Sequence, residues 1–269
     1  MMKVVILCGG KGTRLREETE FRPKPLVEIG RKPILWHIMK IYAHFGFTEF
    51  VLCLGYRGNM IKDYFLNYTA QVSDFTIDLG NLAGSLHYHN NHEERHFQVS
   101  LVETGTETLT GGRLKRVEPY IEDKTFMMTY GDGLANINIR RLVDFHTAHG
   151  KVATVTAVRP FSRFGGLELD ATGLVRSFRE KPQIEEWISG GFFVFDRRIF
   201  EYLNFDGALE EAPLARLAEE HQLMAYMHTG FWYAMDTYRE YQHLNELWES
   251  RKAAWQVWET KAATASVGT

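Results

Sequence analysis

After Lys3, residues 4–8 form a short apolar run rich in β-branched side chains that stops at Gly9-Gly10. A run with no polar alternation is the pattern of a strand buried on both faces, and such strands belong to parallel sheets covered by helices. The residues that follow keep the matching rhythm. Pro33 stands at a natural first helical position, apolar residues recur over 34–45, and Gly46 supplies a stop. Residues 50–54 repeat the buried-strand pattern, and Ile61, Tyr64, Phe65 and Tyr68 recur at helical spacing. The rhythm returns with a strand at 126–130, a helix at 139–149 ended by Gly150, and a strand at 152–158. Alternating strands and helices predict an α/β fold: a Rossmann-like, mixed but mainly parallel central sheet with helices on both faces.

Between these halves, residues 74–103 are less regular. Alternating stretches at 75–79, 85–89 and 97–103 read as antiparallel strands or hairpins. Farther on, 166–169 and 174–178 flank Asp170-Ala171-Thr172-Gly173, a hairpin signal, and 190–195 reads as another buried strand. Helical spacing covers 212–220 and 237–258, before a tail of small residues at 262–269 with little to bury. No repeat or linker breaks the chain, so a single domain over 1–269 is expected, with a more helical portion after about 160.

At 45% hydrophobic and 13% aromatic, 269 residues suffice for a sizeable core. The formal charge of -3 is scattered, which gives no footprint for nucleic acid or an anionic membrane, so small-molecule partners are expected. The first apolar run is too short for a signal-peptide core and no segment has the length to span a bilayer, so the expected location is cytoplasmic. Cys8 and Cys53 both fall in buried-strand runs and read as reduced core residues. His87, His89, His92 and His96 invite a metal assignment, but Asn90, Asn91 and Arg95 among them favour an exposed loop.

The chemistry concentrates after the first strand, in Leu7-Cys8-Gly9-Gly10-Lys11-Gly12-Thr13-Arg14-Leu15 and then Pro23-Lys24-Pro25. Glycines let backbone N–H groups approach phosphate oxygens, and Arg14 and Lys24 supply charge to neutralise them. The spacing matches neither G-x-x-x-x-G-K-[ST] nor G-x-G-x-x-G.

A G-G-x-G-T-R-L turn followed by P-K-P resembles the signature of the sugar-phosphate nucleotidyltransferases. The likeness continues through Lys32-Pro33-Ile34-Leu35-Trp36-His37, Thr110-Gly111-Gly112-Arg113-Leu114, Tyr130-Gly131-Asp132-Gly133, Arg163-Phe164-Gly165, Glu180-Lys181-Pro182, Gly190-Gly191-Phe192 and Met235-Asp236-Thr237. These longer blocks are most similar to the glucose-1-phosphate cytidylyltransferases. The resemblance implies transfer of a cytidylyl group from CTP to α-D-glucose 1-phosphate, Mg²⁺ as cofactor, and a homo-oligomer. Another sugar 1-phosphate, UTP or dTTP would use the same chemistry, and a non-catalytic nucleotide-sugar sensor would keep the same fold.

Carried over by residue, the resemblance implies catalytic roles for Arg14, Lys24 and Asp132. A nucleotide site would include Leu7, Cys8, Gly9, Gly10, Gly12, Thr13, Thr108, Arg113 and Gly131. A sugar-phosphate site would include Tyr130, Gly165, Glu180, Lys181, Ser189, Gly190 and Trp232. Asp132 and Asp236 also make independent sense, since each lies in a turn and Mg²⁺ is held by one or two carboxylates plus phosphates. Taken alone, a Gly-Asp-Gly is explained as well by backbone preference. One position departs from the pattern: Ser189 stands where the glucose enzymes carry asparagine before Gly-Gly, and a shorter side chain there alters hydrogen-bond reach to a sugar.

Overall fold

Along the first strand, β1 (Val4–Leu7), Val4 and Ile6 join one buried apolar layer while Val5 and Leu7 join another. Both faces of the strand are covered, as its unbroken apolar run requires. The computed structural model describes residues 2–80 and 86–258. After β1 come α1 (Ile34–His44), β2 (Glu49–Leu54) and α2 (Gly58–Leu66). A small hairpin, β3 (Phe75–Ile77) with β4 (Leu86–Tyr88), leads to β5 (Gln98–Glu103), α3 (Thr110–Arg116) and β6 (Thr125–Tyr130). The chain continues through β7 (Gly133–Ala135), α4 (Ile139–His149), β8 (Ala153–Val158) and the hairpin β9 (Gly166–Leu169) with β10 (Val175–Arg179). It then forms β11 (Ile188–Asp196), α5 (Ala212–Glu219), β12 (Leu223–Met227), β13 (Trp232–Ala234) and α6 (Tyr238–Glu249).

Seven strands make the central sheet, in the order β12-β8-β11-β6-β1-β2-β5. Every neighbouring pair is parallel except the two that involve β11. One face is covered by α1, α4 and α6 through Ile38, Leu142 and Leu244, the other by α3 and α5 through Leu114 and Leu217. This is the mixed, mainly parallel sheet with helices on both faces that the sequence predicts.

Two expectations are corrected. Residues 97–103 were expected in an antiparallel insert, but β5 pairs parallel with β2 as the last strand of the sheet. In β5 Gln98 and Ser100 are exposed while Val99 and Leu101 pack against the core, so its side chains alternate as they do in a hairpin. The helix expected over 237–258 stops at Glu249, and Arg251 takes a left-handed φ of 58°. The chain then turns back, which buries Trp255 completely against Trp248 and Phe231. Ser85 and the 262–269 tail lie outside the described residues.

The return also seals His37. Trp255 Nε1, which can only donate, points at His37 Nδ1 (3.3 Å), leaving His37 Nε2–H to donate to Ile29 O (2.9 Å). The ring is therefore neutral, and burial lowers its pKa to about 4. His146 is also buried, and its pKa is likewise lowered to about 4, chiefly by desolvation. In the unfolded chain both titrate near 6.5. The folded values are depressed, so stability is complete above about pH 6.5 and is lost as pH falls from there toward 4. Each histidine is expected to remove about 2 kcal/mol between pH 7 and pH 5. Urea midpoints at the two pH values check this, and identical midpoints would contradict it.

Candidate active site

The glycine turn leaves the carboxyl end of β1 between its neighbours β2 and β6. Backbone bonds continue past the strand, from Cys8 N to Cys53 O (3.0 Å) and from Gly131 N to Leu7 O (3.1 Å). Beneath the turn lies the buried guanidinium of Arg113. Its Nη1 donates to Gly105 O (2.7 Å), Thr104 Oγ1 (2.9 Å) and Leu54 O (3.1 Å), and its Nη2 to Gly9 O (3.0 Å) and Thr106 O (3.2 Å). One cation thus ties together the chain leaving β1, β2 and β5. A Cβ at position 9 would stand 1.9 Å from Arg113 Nη1, so a larger residue there would push the guanidinium off the carbonyls it holds. Gly12, at φ 63°, lies in the left-handed region. Cys8 and Cys53 are free and buried; desolvation raises both thiol pKa values, that of Cys53 to about 12. Neither thiol is an available nucleophile at neutral pH.

Lys24, in a short turn between Pro23 and Pro25, points into the sheet end. Its Nζ donates to Asp132 Oδ2 (2.7 Å) and to Asp236 Oδ1 (2.8 Å). The other oxygen of Asp236 accepts from Arg14 Nη1 (2.8 Å). The two aspartates are far apart in sequence and meet because β7 pairs antiparallel with β13, an arrangement extended by Met235 N donating to Asp132 O (2.9 Å). Asp236 is held from behind. Glu240 Oε2 accepts from Asp236 N (2.7 Å) and Thr237 N (2.8 Å), the latter as part of the capping box that starts α6. Arg163 Nη2 reaches Glu240 Oε1 (2.6 Å) and lies 3.9 Å from Asp236 Oδ2.

A cavity opens on each side of this bridge. One, about 440 Å³, is lined by the glycine turn, Thr108, Tyr130 and Lys24 and reaches Asp132. The other, about 610 Å³, is lined by Arg163, Lys181, Trp232 and Asp236. A third, about 530 Å³ and mostly apolar around Trp36 and Tyr68, contains none of the candidate site residues.

The residues expected on the nucleotide side, namely 7–10, Gly12, Thr13, Arg14, Lys24, Thr108, Arg113 and Gly131, all line the first cavity. Tyr130 lines it too, away from the sugar-phosphate residues with which it was grouped, and its hydroxyl donates to Glu210. Of the sugar-phosphate set, Lys181 and Trp232 line the second cavity, and Gly190 O accepts from Trp232 Nε1 (2.8 Å). Gly165, Glu180 and Ser189 line neither cavity; Ser189 is exposed and in register with Ala157 of β8. Sequence reasoning assigned no role to Arg163, Glu240 or Glu210. Thr237-x-x-Glu240 carries a readable capping signal, whereas Glu210 has none: it reaches Tyr130 and Thr110 only through tertiary structure.

A mainly parallel sheet whose first turn can cradle phosphates, with two cavities meeting at a Lys-Asp-Asp bridge, suits an enzyme that joins two phosphorylated substrates. The profile of the nucleotidyl transferase family matches residues 3–249, and the chain belongs to that family. It is 49% identical over 261 residues to the glucose-1-phosphate cytidylyltransferase of Salmonella typhi, a match that covers 96% of this chain and 100% of that protein. To the probable glucose-1-phosphate cytidylyltransferase of Bacillus subtilis (strain 168) it is 46% identical over 259 residues, again covering 96% and 100%. The crystal structure of HddC from Yersinia pseudotuberculosis shares the fold, with a TM-score of 0.67 and 22% identity, over 92% of this chain and 100% of that one. Among the described residues, no helix is long and apolar enough to cross a membrane.

Proposed function

We propose that the protein transfers a cytidylyl group from CTP to α-D-glucose 1-phosphate, giving CDP-glucose and pyrophosphate. The observation that carries this reading is the Lys24 bridge between Asp132 and Asp236 at the junction of the two cavities. The near-full-length likeness to glucose-1-phosphate cytidylyltransferases supplies the base and the sugar.

CTP occupies the cavity at the glycine turn, and the sugar phosphate the cavity of Lys181 and Trp232. A phosphate oxygen of the sugar attacks the α-phosphorus, a new P–O bond forms, and the bond to the β-phosphate breaks with pyrophosphate leaving on the opposite side. The attacking oxygen is already anionic, so no protein base is needed, and no side chain need form a covalent intermediate. Turn amides, Arg14 and Lys24 hold the triphosphate and neutralise its developing charge. Lys181 and Arg163 hold the sugar phosphate, and Trp232 packs against the sugar.

Asp132 and Asp236 fit Mg²⁺: both are hard oxygen donors, and their carboxylates lie close enough together for one cation to reach both, as Lys24 Nζ does at 2.7 and 2.8 Å. Mg²⁺ typically takes one or two carboxylates and completes its shell with phosphates and water. When bound it would neutralise phosphate charge and orient the reacting groups. We further propose one domain over 1–269, with the sugar-binding and helical portion after about 160, a cytoplasmic location and a homo-oligomer.

The test is pyrophosphate release with Mg²⁺ and glucose 1-phosphate, comparing CTP, UTP, dTTP, ATP and GTP, with products identified by mass. CDP-glucose formation with CTP is the expected result. Preference for another base would correct the nucleotide and leave the chemistry standing, while silence across nucleotides and sugar phosphates would favour a sensor. The same assay run with other hexose 1-phosphates measures how strictly glucose is chosen.

A further inference from the structure

We propose that Lys24 is an internal counter-ion that holds the metal position between Asp132 and Asp236, so that a divalent cation binds productively with the triphosphate and only weakly before it. The inference rests on reading those aspartates as the metal ligands. Lys24 Nζ lies 2.7 Å from one carboxylate and 2.8 Å from the other, so the ammonium sits between the oxygens that a cation would need. The pair is sheltered: the side chains of Lys24 and Asp236 are only 10% and 14% exposed, where charge interactions are poorly screened by salt. Arg14 occupies the remaining oxygen of Asp236. The positive charges of Lys24 and Arg14 therefore balance the two aspartates.

A cation arriving alone meets a neutral cluster and must displace a hydrogen-bonded ammonium. Mg²⁺ dehydrates reluctantly, which makes that exchange still less favourable. A triphosphate changes the balance. Its oxygens in the adjoining cavity offer Lys24 and Arg14 new partners, and their departure frees carboxylate oxygens for the metal. Lys24 is suited to this exchange because its backbone is fixed between Pro23 and Pro25 while its ammonium is a compact charge on a flexible stem. Metal and nucleotide thus bind with positive coupling, each tightening the other.

The experiment measures Mn²⁺ binding by electron paramagnetic resonance, without nucleotide, for the parent protein and for Lys24→Met and Lys24→Gln. Glutamine keeps a polar side chain in case the apolar replacement compromises folding. Removing the ammonium is expected to tighten Mn²⁺ binding by about tenfold or more. Mg²⁺ alone should then raise the Tm of the variants but leave the parent nearly unchanged. A folded variant that binds Mn²⁺ no tighter than the parent overturns the inference. Adding Asp236→Asn to Lys24→Gln separates the two readings. Loss of the gained affinity locates the ion at this pair, whereas retained affinity would sink the assignment of Asp236 as a ligand.

Discussion

Replacing Asp236 with asparagine is expected to lower kcat by about 10³-fold while leaving the protein folded. In the parent, one carboxylate oxygen accepts from Lys24 and the other from Arg14, at 2.8 Å each. An asparagine can present its carbonyl to only one of them, and its NH2 then faces the other cation with no hydrogen bond to offer. The fold tolerates this because Lys24 keeps Asp132 and the Arg14 side chain, 68% exposed, can swing into water. Catalysis does not tolerate it, since the lost charge belongs to one of two carboxylates proposed to hold the metal against the phosphates. The Mg²⁺ concentration for half-maximal rate should rise as well. Steady-state pyrophosphate release across a magnesium titration reads both effects. If D236N turned over as fast as the parent, Asp236 would be only a structural anchor for the start of α6.

That aspartate also shows where local sequence stops informing. Both carboxylates are readable as turn residues, and the turn after β1 is readable because glycines and cations at short spacing act locally. The helix Ile139–His149 is likewise written in its ends: Asn138 accepts from Arg141 N, and Gly150 takes φ 64°. What brings Asp132 to Asp236 is different. It is the pairing of β7 with β13, three residues in each strand and about a hundred positions apart, and no local pattern specifies it. The misplacement of β5 has a similar origin, because an edge strand and a hairpin strand expose the same alternate side chains. The end of α6 was hidden by Trp248, Trp255 and Trp258, whose apolar pattern persists although a reversal of the chain, not a longer helix, buries Trp255.

Arg113 lines the nucleotide-side cavity from beneath the turn, and its hydrogen bonds there lead to the second large effect. Replacement by methionine is expected to cost about 3 kcal/mol of stability and to lower kcat/KM by about 10²-fold. Methionine fills much of the volume but leaves four carbonyl oxygens and the Thr104 hydroxyl without the guanidinium's hydrogen bonds. Burial lowers the arginine's pKa from its ordinary value, so these acceptors, in place of water, are what stabilise the charge. The loss in Tm should be about 5–10 °C. The activity loss has a separate cause: Gly9 O is fixed by Arg113, and without that tie the turn amides no longer point to one position for the triphosphate. Arg113→Lys discriminates between charge and shape. A lysine restores the cation but cannot span from Gly9 O to Gly105 O with one ammonium, so stability should recover more than kcat/KM. If R113M matched the parent in both, the glycines alone would set the turn, and the close approach at Gly9 would be a packing accident and not the element that shapes the site.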